Sequence, residues 1–194
     1  MLKELTLEFP PIGARTCLYQ AEELNVVLDR MAWQAAGFIT TKERIVIVGI
    51  LRRGAPLAEM LHTRLMQHFK LSKIELMHLQ IKRYADDLTL LYPETKLTEN
   101  PKLASLDLSN TTVLVVDDVM FKGHSMLRAV EYLAVKQAAE IRTIVLVDRG
   151  ANKLPVRVDI SGVRLDVAPT DIIECNVPPF ETEFKIDLLM PTII

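Results

Sequence analysis

Two adjacent carboxylates near the middle of the chain are the side chains best placed to do chemistry. Asp117 and Asp118 directly follow Val113-Leu114-Val115-Val116, an apolar run that predicts a buried strand. Open α/β sheets bind ligands at the carboxyl ends of their strands, where paired carboxylates can accept hydrogen bonds from the vicinal hydroxyls of a pentose. Asp also forms turns and helix caps, but crowding two carboxylates without a ligand or cation is unfavourable, so we favour a binding role.

A glycine turn after the acids predicts a seat for phosphate. The segment Lys122-Gly123-His124-Ser125 leads into apolar residues at helical spacing, from Met126 to Leu133. The first amides of a helix have no intrahelical acceptor and commonly hold an anion. With hydroxyl acceptors at one end and amide donors at the other, this loop suits a sugar phosphate.

Alternating strand and helix patterns place this loop in an α/β domain. Apolar residues at helical spacing predict helices, and short apolar runs bounded by turn residues predict strands. We therefore expect a helix at 21–36, a strand at 45–50, a helix after Gly54-Ala55-Pro56, a strand at 74–84, a loop at 86–109, a strand at 112–116, a helix at 124–138, and strands at 142–147, 156–160 and 171–175. The unit centred on 124–138 predicts a right-handed crossover between parallel strands. Trp33 is expected to pack rather than to bind a ligand.

The composition limits the class of protein. The chain has 194 residues, of which 49% are hydrophobic, which is enough for one well-buried domain. A formal charge of -2 indicates no general attraction to nucleic acid or anionic membranes, and two distant cysteines indicate neither a disulfide framework nor a zinc site. Because no signal segment and no apolar run near ~20 residues is present, we expect a cytoplasmic protein that does not contact the membrane.

Three further segments, together with the acid loop, follow the order of a known family. They are Ile47-Val48-Gly49-Ile50-Leu51-Arg52-Arg53-Gly54, Lys82-Arg83-Tyr84-Ala85-Asp86-Asp87-Leu88 and Val147-Asp148-Arg149-Gly150. The pattern resembles the type I phosphoribosyltransferases, and within them it is similar to the pyrimidine operon attenuation regulator, which is also a uracil phosphoribosyltransferase. The resemblance implies an α/β fold with a twisted parallel sheet flanked by helices and a small hood. It implies one domain over residues 1–194, with the core at about 20–150 and the hood at about 151–190.

The resemblance also implies a role for each segment. Phosphoribosyl pyrophosphate would bind with Mg²⁺, which is held mainly by diphosphate oxygens and only indirectly by Asp117 and Asp118. The same two acids would hold the ribose hydroxyls, while Lys122, Gly123, His124 and Ser125 would surround the 5-phosphate. Arg52, Arg53 and Gly54 would contact the pyrophosphate, although adjacent arginines can also be a solvated surface pair.

Two further groups follow from the same resemblance. Arg83 and Tyr84 would complete the catalytic set with the two acids, in a flexible loop that closes over the substrate and excludes water. The acceptor base, uracil or a purine, would lie under the hood near Arg149, Val163 and Arg164, although Val163 can equally close the core. A homodimer is also implied, with the apolar tail at 186–194 as a contributor.

One residue departs from the family pattern. Lys122 stands where threonine is usual, and a lysine can either meet a phosphate as a point charge or fill the cradle with its stem. The chain is therefore interpreted as an enzyme that makes a mononucleotide from a free base or, alternatively, as a catalytically weak nucleotide sensor that binds RNA. Candidate RNA phosphate contacts are Arg142, Arg149, Lys153, Arg157 and Arg164. A purely structural role leaves the acid pair unexplained.

Overall fold

The computed structural model describes residues 12–39, 44–69, 74–82, 96–98 and 100–192. In chain order its elements are β1 Gly13–Tyr19, α1 Ala21–Ala36, β2 Arg44–Leu51, α2 Gly54–Phe69, β3 Ile74–Lys82, β4 Lys96–Thr98, α3 Pro101–Ala104, β5 Thr111–Met120, α4 His124–Val135, β6 Glu140–Asp148, β7 Ile160–Arg164, β8 Ile172–Asn176 and β9 Lys185–Pro191. Of the helices in these ranges, none combines the length and the hydropathy needed to span a bilayer.

The main sheet has the strand order β4-β3-β2-β5-β6-β7 within the described ranges. The pairs β3–β2, β2–β5, β5–β6 and β6–β7 are parallel, and only the short edge strand β4 runs antiparallel to its neighbour. Because β2, β5 and β6 run side by side in the same direction, their carboxyl ends meet at one edge. The predicted α/β class with a mostly parallel, helix-flanked sheet is confirmed.

The core lies on both faces of the sheet, and β5 supplies each face by alternation. Leu114 and Val116 pack into the cluster that contains α1 and α2, whereas Val113 and Val115 pack into the cluster that contains α4. A strand that is covered on both faces has no solvated side, so its sequence is continuously apolar. Because the strand is buried on both faces, it also fixes the position of Asp117 and Asp118, which follow Val116.

A second, antiparallel sheet forms the hood. Its strand order is β1-β9-β8 in the part of the chain that is described. Strand β1 comes from residues ahead of the expected hood range and pairs with β9 from Gly13 opposite Pro191 onward. In β9, Ile186 and Leu189 are buried against the rest of this chain, whereas Met190 is 42% exposed.

One prediction of secondary structure in the carboxyl-terminal half is wrong. The strand expected at 156–160 is not formed, because β7 begins only at Ile160. Side-chain bonds bind the preceding segment to β6 instead: the Thr143 amide donates to Asp159 Oδ2 at 2.9 Å, and the Thr143 hydroxyl donates to the Arg157 carbonyl at 2.6 Å. The helix expected from 124 to about 138 is present and ends at Val135. Gln137, two residues further on, adopts a positive φ of 59°.

The loop expected at 86–109 contains regular structure in its described part. Strand β4 pairs with β3, and α3 begins where the Asn100 side chain accepts hydrogen bonds from the amides of Lys102 and Leu103, with Pro101 at the first helical position. Asn followed by Pro is a helix-start signal that is present in the sequence. Trp33, expected to pack, is 66% exposed and makes an edge contact with Phe69 at a centroid separation of 4.8 Å.

We predict that Leu114→Ala lowers the free energy of unfolding by about 2–5 kcal/mol, because it removes buried carbon atoms from the central strand and leaves a cavity. The matched variant Val135→Ala, at a position that is 83% exposed, should change the same quantity by less than about 0.5 kcal/mol. Chemical denaturation followed by circular dichroism measures both. Equal effects at the two positions would contradict the core assignment.

Candidate functional site

The candidate site lies at the edge where β2, β5 and β6 end. Three connections meet there: Arg52-Arg53-Gly54 after β2, the segment from Asp117 to Ser125 at the end of β5, and Asp148-Arg149-Gly150 after β6. A cleft that is open to solvent is lined by Asp117 and by every residue from Val119 to Met126. The structure thus brings the acid loop and the glycine turn into one concave surface.

The acid pair is held inside the last residues of β5. Both side chains are partly buried, and the Asp118 amide donates to Asp117 Oδ1 at 3.0 Å. Burial, followed by the charge of Asp118, raises the pKa of Asp117 well above its ordinary value. Burial also raises the pKa of Asp118, against the opposing effect of nearby Arg53. A ligand that donates hydroxyl protons, or a cation, would stabilise the ionised pair.

Gly54 allows the arginine loop to approach β5 closely. A Cβ atom on Gly54 would lie 2.5 Å from the Val116 carbonyl oxygen and 3.2 Å from Asp117 Oδ1, so any side chain would collide with the strand backbone. The Leu51–Arg52 peptide just before it is cis. The absence of a side chain at Gly54 therefore brings the arginine loop against the acid pair.

Residues of the loop between β8 and β9 contact both arginines. Arg53 donates to Glu181 Oε1 from Nη2 at 2.7 Å and from Nε at 3.1 Å. Arg52 Nη2 lies 3.8 Å from the same oxygen, and its guanidinium lies 5.3 Å from the centre of the Phe180 ring. Glu181 was missed by sequence reasoning because nothing local indicates a contact across 128 positions.

Buried Cys175 of β8 lies on the hood side of the acids. Burial, with Asp118 as the next cause, raises the pKa of its thiol well above the ordinary value. The sequence identified this residue only as one of two distant cysteines. Its position shows that the hood, as well as the main sheet, surrounds the acid pair.

The glycine turn has a conformation that suits an anion seat. Gly123 adopts φ +90°, which L residues rarely adopt, and a Cβ atom there would collide with Asn152 Oδ1. Gly123 is the N-cap residue of α4, and its carbonyl accepts the Leu127 amide at 2.9 Å. The amides of His124, Ser125 and Met126 therefore occupy the first helical turn, where intrahelical acceptors are lacking by geometry.

Phe121 joins the glycine turn to the loop after β6. Its ring centre lies 5.0 Å from Lys122 Nζ and 4.6 Å from the Arg149 guanidinium carbon. Arg149 is only 4% exposed, and its Nη2 donates to the carbonyl of Asp171 at 2.9 Å. Burial lowers the pKa of Arg149. The structure thus places this predicted base contact between the phosphate turn and the hood.

The other predicted base contacts lie at the end of β7. Val163 is partly buried and packs against the cluster that contains α1 and α2. Arg164 is exposed and pairs with Asp166, with Nε 3.3 Å from Oδ2. Arg83 and Tyr84 lie outside the residues that the structure describes.

Comparison with known proteins agrees with this geometry. The family model described as "Phosphoribosyl transferase domain" matches residues 16–180. The chain belongs to the phosphoribosyltransferase family. The expected resemblance to the type I phosphoribosyltransferases is thereby confirmed.

Curated relatives of this phosphoribosyltransferase carry the name "Bifunctional protein PyrR". The protein from Actinobacillus pleuropneumoniae serotype 5b is 32% identical over 158 residues, which cover 81% of this chain and 87% of the relative. The protein from Haemophilus influenzae strain Rd is 35% identical over 153 residues, covering 77% and 84% of the two chains. These relatives support the resemblance to the pyrimidine operon attenuation regulator.

Solved structures share the fold at lower identity. A hypoxanthine phosphoribosyltransferase from Trypanosoma cruzi superposes with a TM-score of 0.71 at 15% identity, over 94% of this chain and 95% of that chain. A hypoxanthine phosphoribosyltransferase from Staphylococcus aureus gives a TM-score of 0.63 at 15% identity, over 79% of both chains. At such identities the likeness concerns the fold alone.

We predict that Asp117→Asn stabilises this phosphoribosyltransferase at pH 7 and that the gain shrinks toward pH 4. The folded state binds the Asp117 proton more tightly than the unfolded state does, because burial raises the carboxyl pKa. Wild-type stability from this group is therefore complete below the ordinary pKa and is lost as the pH rises through the raised one. Urea denaturation between pH 4 and pH 8 measures the difference.

Asp107→Asn is the control of opposite sign. Asp107 accepts the Ser109 amide at 3.0 Å, and this bond lowers the pKa of the carboxyl. Its contribution is present above the ordinary pKa and is lost in acid, so this variant should lose stability at pH 7. A gain from Asp117→Asn that grew toward pH 4 would contradict the burial argument.

Proposed function

We propose that this chain binds phosphoribosyl pyrophosphate in the cleft and transfers its phosphoribosyl group to a free nucleobase. The observation that supports this most is the juxtaposition of three anion- and hydroxyl-binding elements at one sheet edge. The acid pair would accept the vicinal ribose hydroxyls, the amides from Gly123 to Ser125 would hold the 5-phosphate, and Arg52 and Arg53 would meet the pyrophosphate.

Such a transfer depends on position and charge more than on proton chemistry. The anomeric carbon becomes positive as pyrophosphate leaves, and preorganised groups that match this charge lower the barrier. Ionised Asp117 and Asp118 would lie on the ribose side of the developing cation, while the arginines would accept the departing anion. Arg83 and Tyr84 belong to the proposal as the start of a closing loop that excludes water.

Magnesium is proposed as the cofactor. Groups of three or more metal-ligating side chains are not found among the residues whose positions are described. The acid pair offers the hard oxygen atoms that Mg²⁺ prefers, and this ion commonly keeps water and substrate phosphate oxygens as its other ligands. Asp117 and Asp118 would therefore contact the ion indirectly, and bound Mg²⁺ would neutralise the diphosphate charge.

Uracil is the acceptor that we favour. The chain is 32–35% identical to the PyrR proteins, and the regulator family that it resembles is also a uracil phosphoribosyltransferase. A purine is the alternative acceptor. The base would lie between the acid loop and the hood, near Val163 and Arg164, with Arg149 holding the loop behind it.

The geometry around Lys122 supports an enzyme rather than a filled, inactive cradle. The ammonium group of Lys122 lies over the Phe121 ring at 5.0 Å. Lys122 lines the same open cleft as Gly123 and Ser125. The lysine can then add positive charge beside the phosphate without occupying its seat.

The RNA-binding alternative finds less support at two of its candidate contacts, Arg142 and Arg149, whereas Arg157 is 86% exposed. Arg142 pairs with Glu140 at 2.7 Å and with Asp159 at 3.4 Å. Arg157 lies 3.9 Å from Asp159, and Arg149 is buried. We propose that the protein is a cytoplasmic homodimer, and RNA binding is the second candidate function. RNA affinity that falls steeply with salt would restore the alternative.

We predict that magnesium phosphoribosyl pyrophosphate and labelled uracil yield the mononucleotide. Asp117→Asn combined with Asp118→Asn should lower kcat/KM by about 100-fold or more, because the charge opposite the developing cation is lost. Hypoxanthine and guanine are tested in parallel, and Glu131→Gln, an exposed acid of α4 that pairs with Arg128, is the control. Absence of product from every base, together with no binding of phosphoribosyl pyrophosphate in calorimetry, would refute the proposal.

A further inference from the structure

The hood loop after β8 places an acid on the arginine pair. Glu181 and Arg53 each retain 19% side-chain exposure, and the two form a two-point contact through Nε and Nη2 of the arginine. Arg52 approaches the same Glu181 oxygen at 3.8 Å. One carboxylate therefore serves two guanidinium groups at the loop expected to receive a diphosphate.

The hood backbone itself holds Glu181 in this position. Glu181 Oε2 accepts the Val177 amide at 2.8 Å, while Oε1 faces the arginines. The Phe180 amide donates to the Val177 carbonyl at 3.2 Å, which closes a turn, and the Phe180 ring lies against Arg52. The acid is thus directed at the arginine loop by its own segment and is not a chance surface partner.

A carboxylate and a phosphate bind the same N–H donors of a guanidinium group. Each presents anionic oxygen atoms to the planar fork of N–H donors, and charge-assisted contacts of this kind are among the stronger ones in proteins. Here a single oxygen, Glu181 Oε1, accepts from both Nε and Nη2 of Arg53. The Nε and Nη2 donors of Arg53 that contact Glu181 cannot simultaneously give a pyrophosphate the same two-point contact. Binding of the diphosphate at this loop must either displace Glu181 or share the arginines with it.

We propose that Glu181 is an internal competitor for the diphosphate: its carboxylate occupies Arg53 until pyrophosphate displaces it, and it thereby sets the affinity for that ligand. This inference rests on the proposed function, because it places pyrophosphate at Arg52 and Arg53. Displacement removes a bond between the arginine loop and the hood. Diphosphate binding therefore loosens the segment from Val177 to Glu181.

The test compares Glu181→Gln with Glu183→Gln in calorimetric titrations. Glutamine at 181 keeps one oxygen acceptor for the Val177 amide, and it replaces the oxygen that faces the arginines by an uncharged NH2 group. Glu183 lies in the same loop, is 68% exposed and pairs with Lys185, so it controls for a general change in charge. The probes are magnesium pyrophosphate and ribose 5-phosphate, and ribose 5-phosphate has no diphosphate to reach the arginines.

Glu181→Gln should bind pyrophosphate about tenfold more tightly than the wild type, as expected for losing one charge-assisted competitor. Ribose 5-phosphate should bind both proteins equally, and Glu183→Gln should match the wild type with both probes. Unchanged or weaker pyrophosphate binding in Glu181→Gln overturns the competitor role even when ribose 5-phosphate binds. Failure of the wild type and of the variant to bind either probe overturns the proposed function and this inference together.

Hydrogen exchange of the wild-type protein gives a second readout that does not depend on a variant that folds. Addition of pyrophosphate should speed exchange at the amides of Val177, Phe180 and Glu181, since Pro178 and Pro179 carry none. Slower or unchanged exchange in this segment with pyrophosphate bound would show that Glu181 stays on the arginines, and it would overturn the proposal.

Discussion

The candidate site is organised around two neighbouring carboxylates that the central strand holds partly buried at its carboxyl end. Four apolar residues of β5 are covered on both faces, so the strand holds Asp117 and Asp118 in place at the edge of the cleft. Burial and mutual repulsion raise the pKa of Asp117, so ionisation of this carboxyl is less favourable in the free protein than in water. A ligand with two hydroxyl donors, or a cation, stabilises the ionised carboxylates and offsets this cost of ionisation. The preference for such ligands therefore depends on the buried strand as well as on the loop that follows it.

The other parts of the site are loops and strands that pack around this acid pair. Gly54 lets the loop after β2 touch β5, and the positive φ of Gly123 turns the chain into α4 beside it. The hood closes the opposite side through Cys175, Glu181 and the carbonyls that receive Arg149. Three strand ends and one antiparallel sheet therefore converge on the acid pair, and Arg52, Arg53, Lys122 and Arg149 lie on the loops around it.

Local patterns in the sequence predicted what depends on local physics. The apolar run of β5, the helix that follows Gly123 and the acid pair between them were all correctly placed, because burial and periodicity are properties of short segments. The sequence also contained the Asn100-Pro101 helix start, which was overlooked. In place of the strand expected at 156–160, the chain is held to β6 at Thr143 by one backbone hydrogen bond from the Asp159 amide and by side-chain bonds of Thr143 and Asp159. The ion pair of Arg53 with Glu181 and the burial of Arg149 depend on contacts between distant segments, and no spacing rule reveals them.

The most direct test of the central claim is a count of the protons exchanged when phosphoribosyl pyrophosphate binds. Calorimetric titrations in buffers of different ionisation enthalpy, from pH 5 to pH 8, give this number for the wild type and for Asp117→Asn. If ribose hydroxyls stabilise the ionised acid pair, the wild type releases more protons than the variant does, because binding lowers the raised pKa of Asp117. Equal proton release by the two proteins, or net uptake by the wild type, would contradict the account.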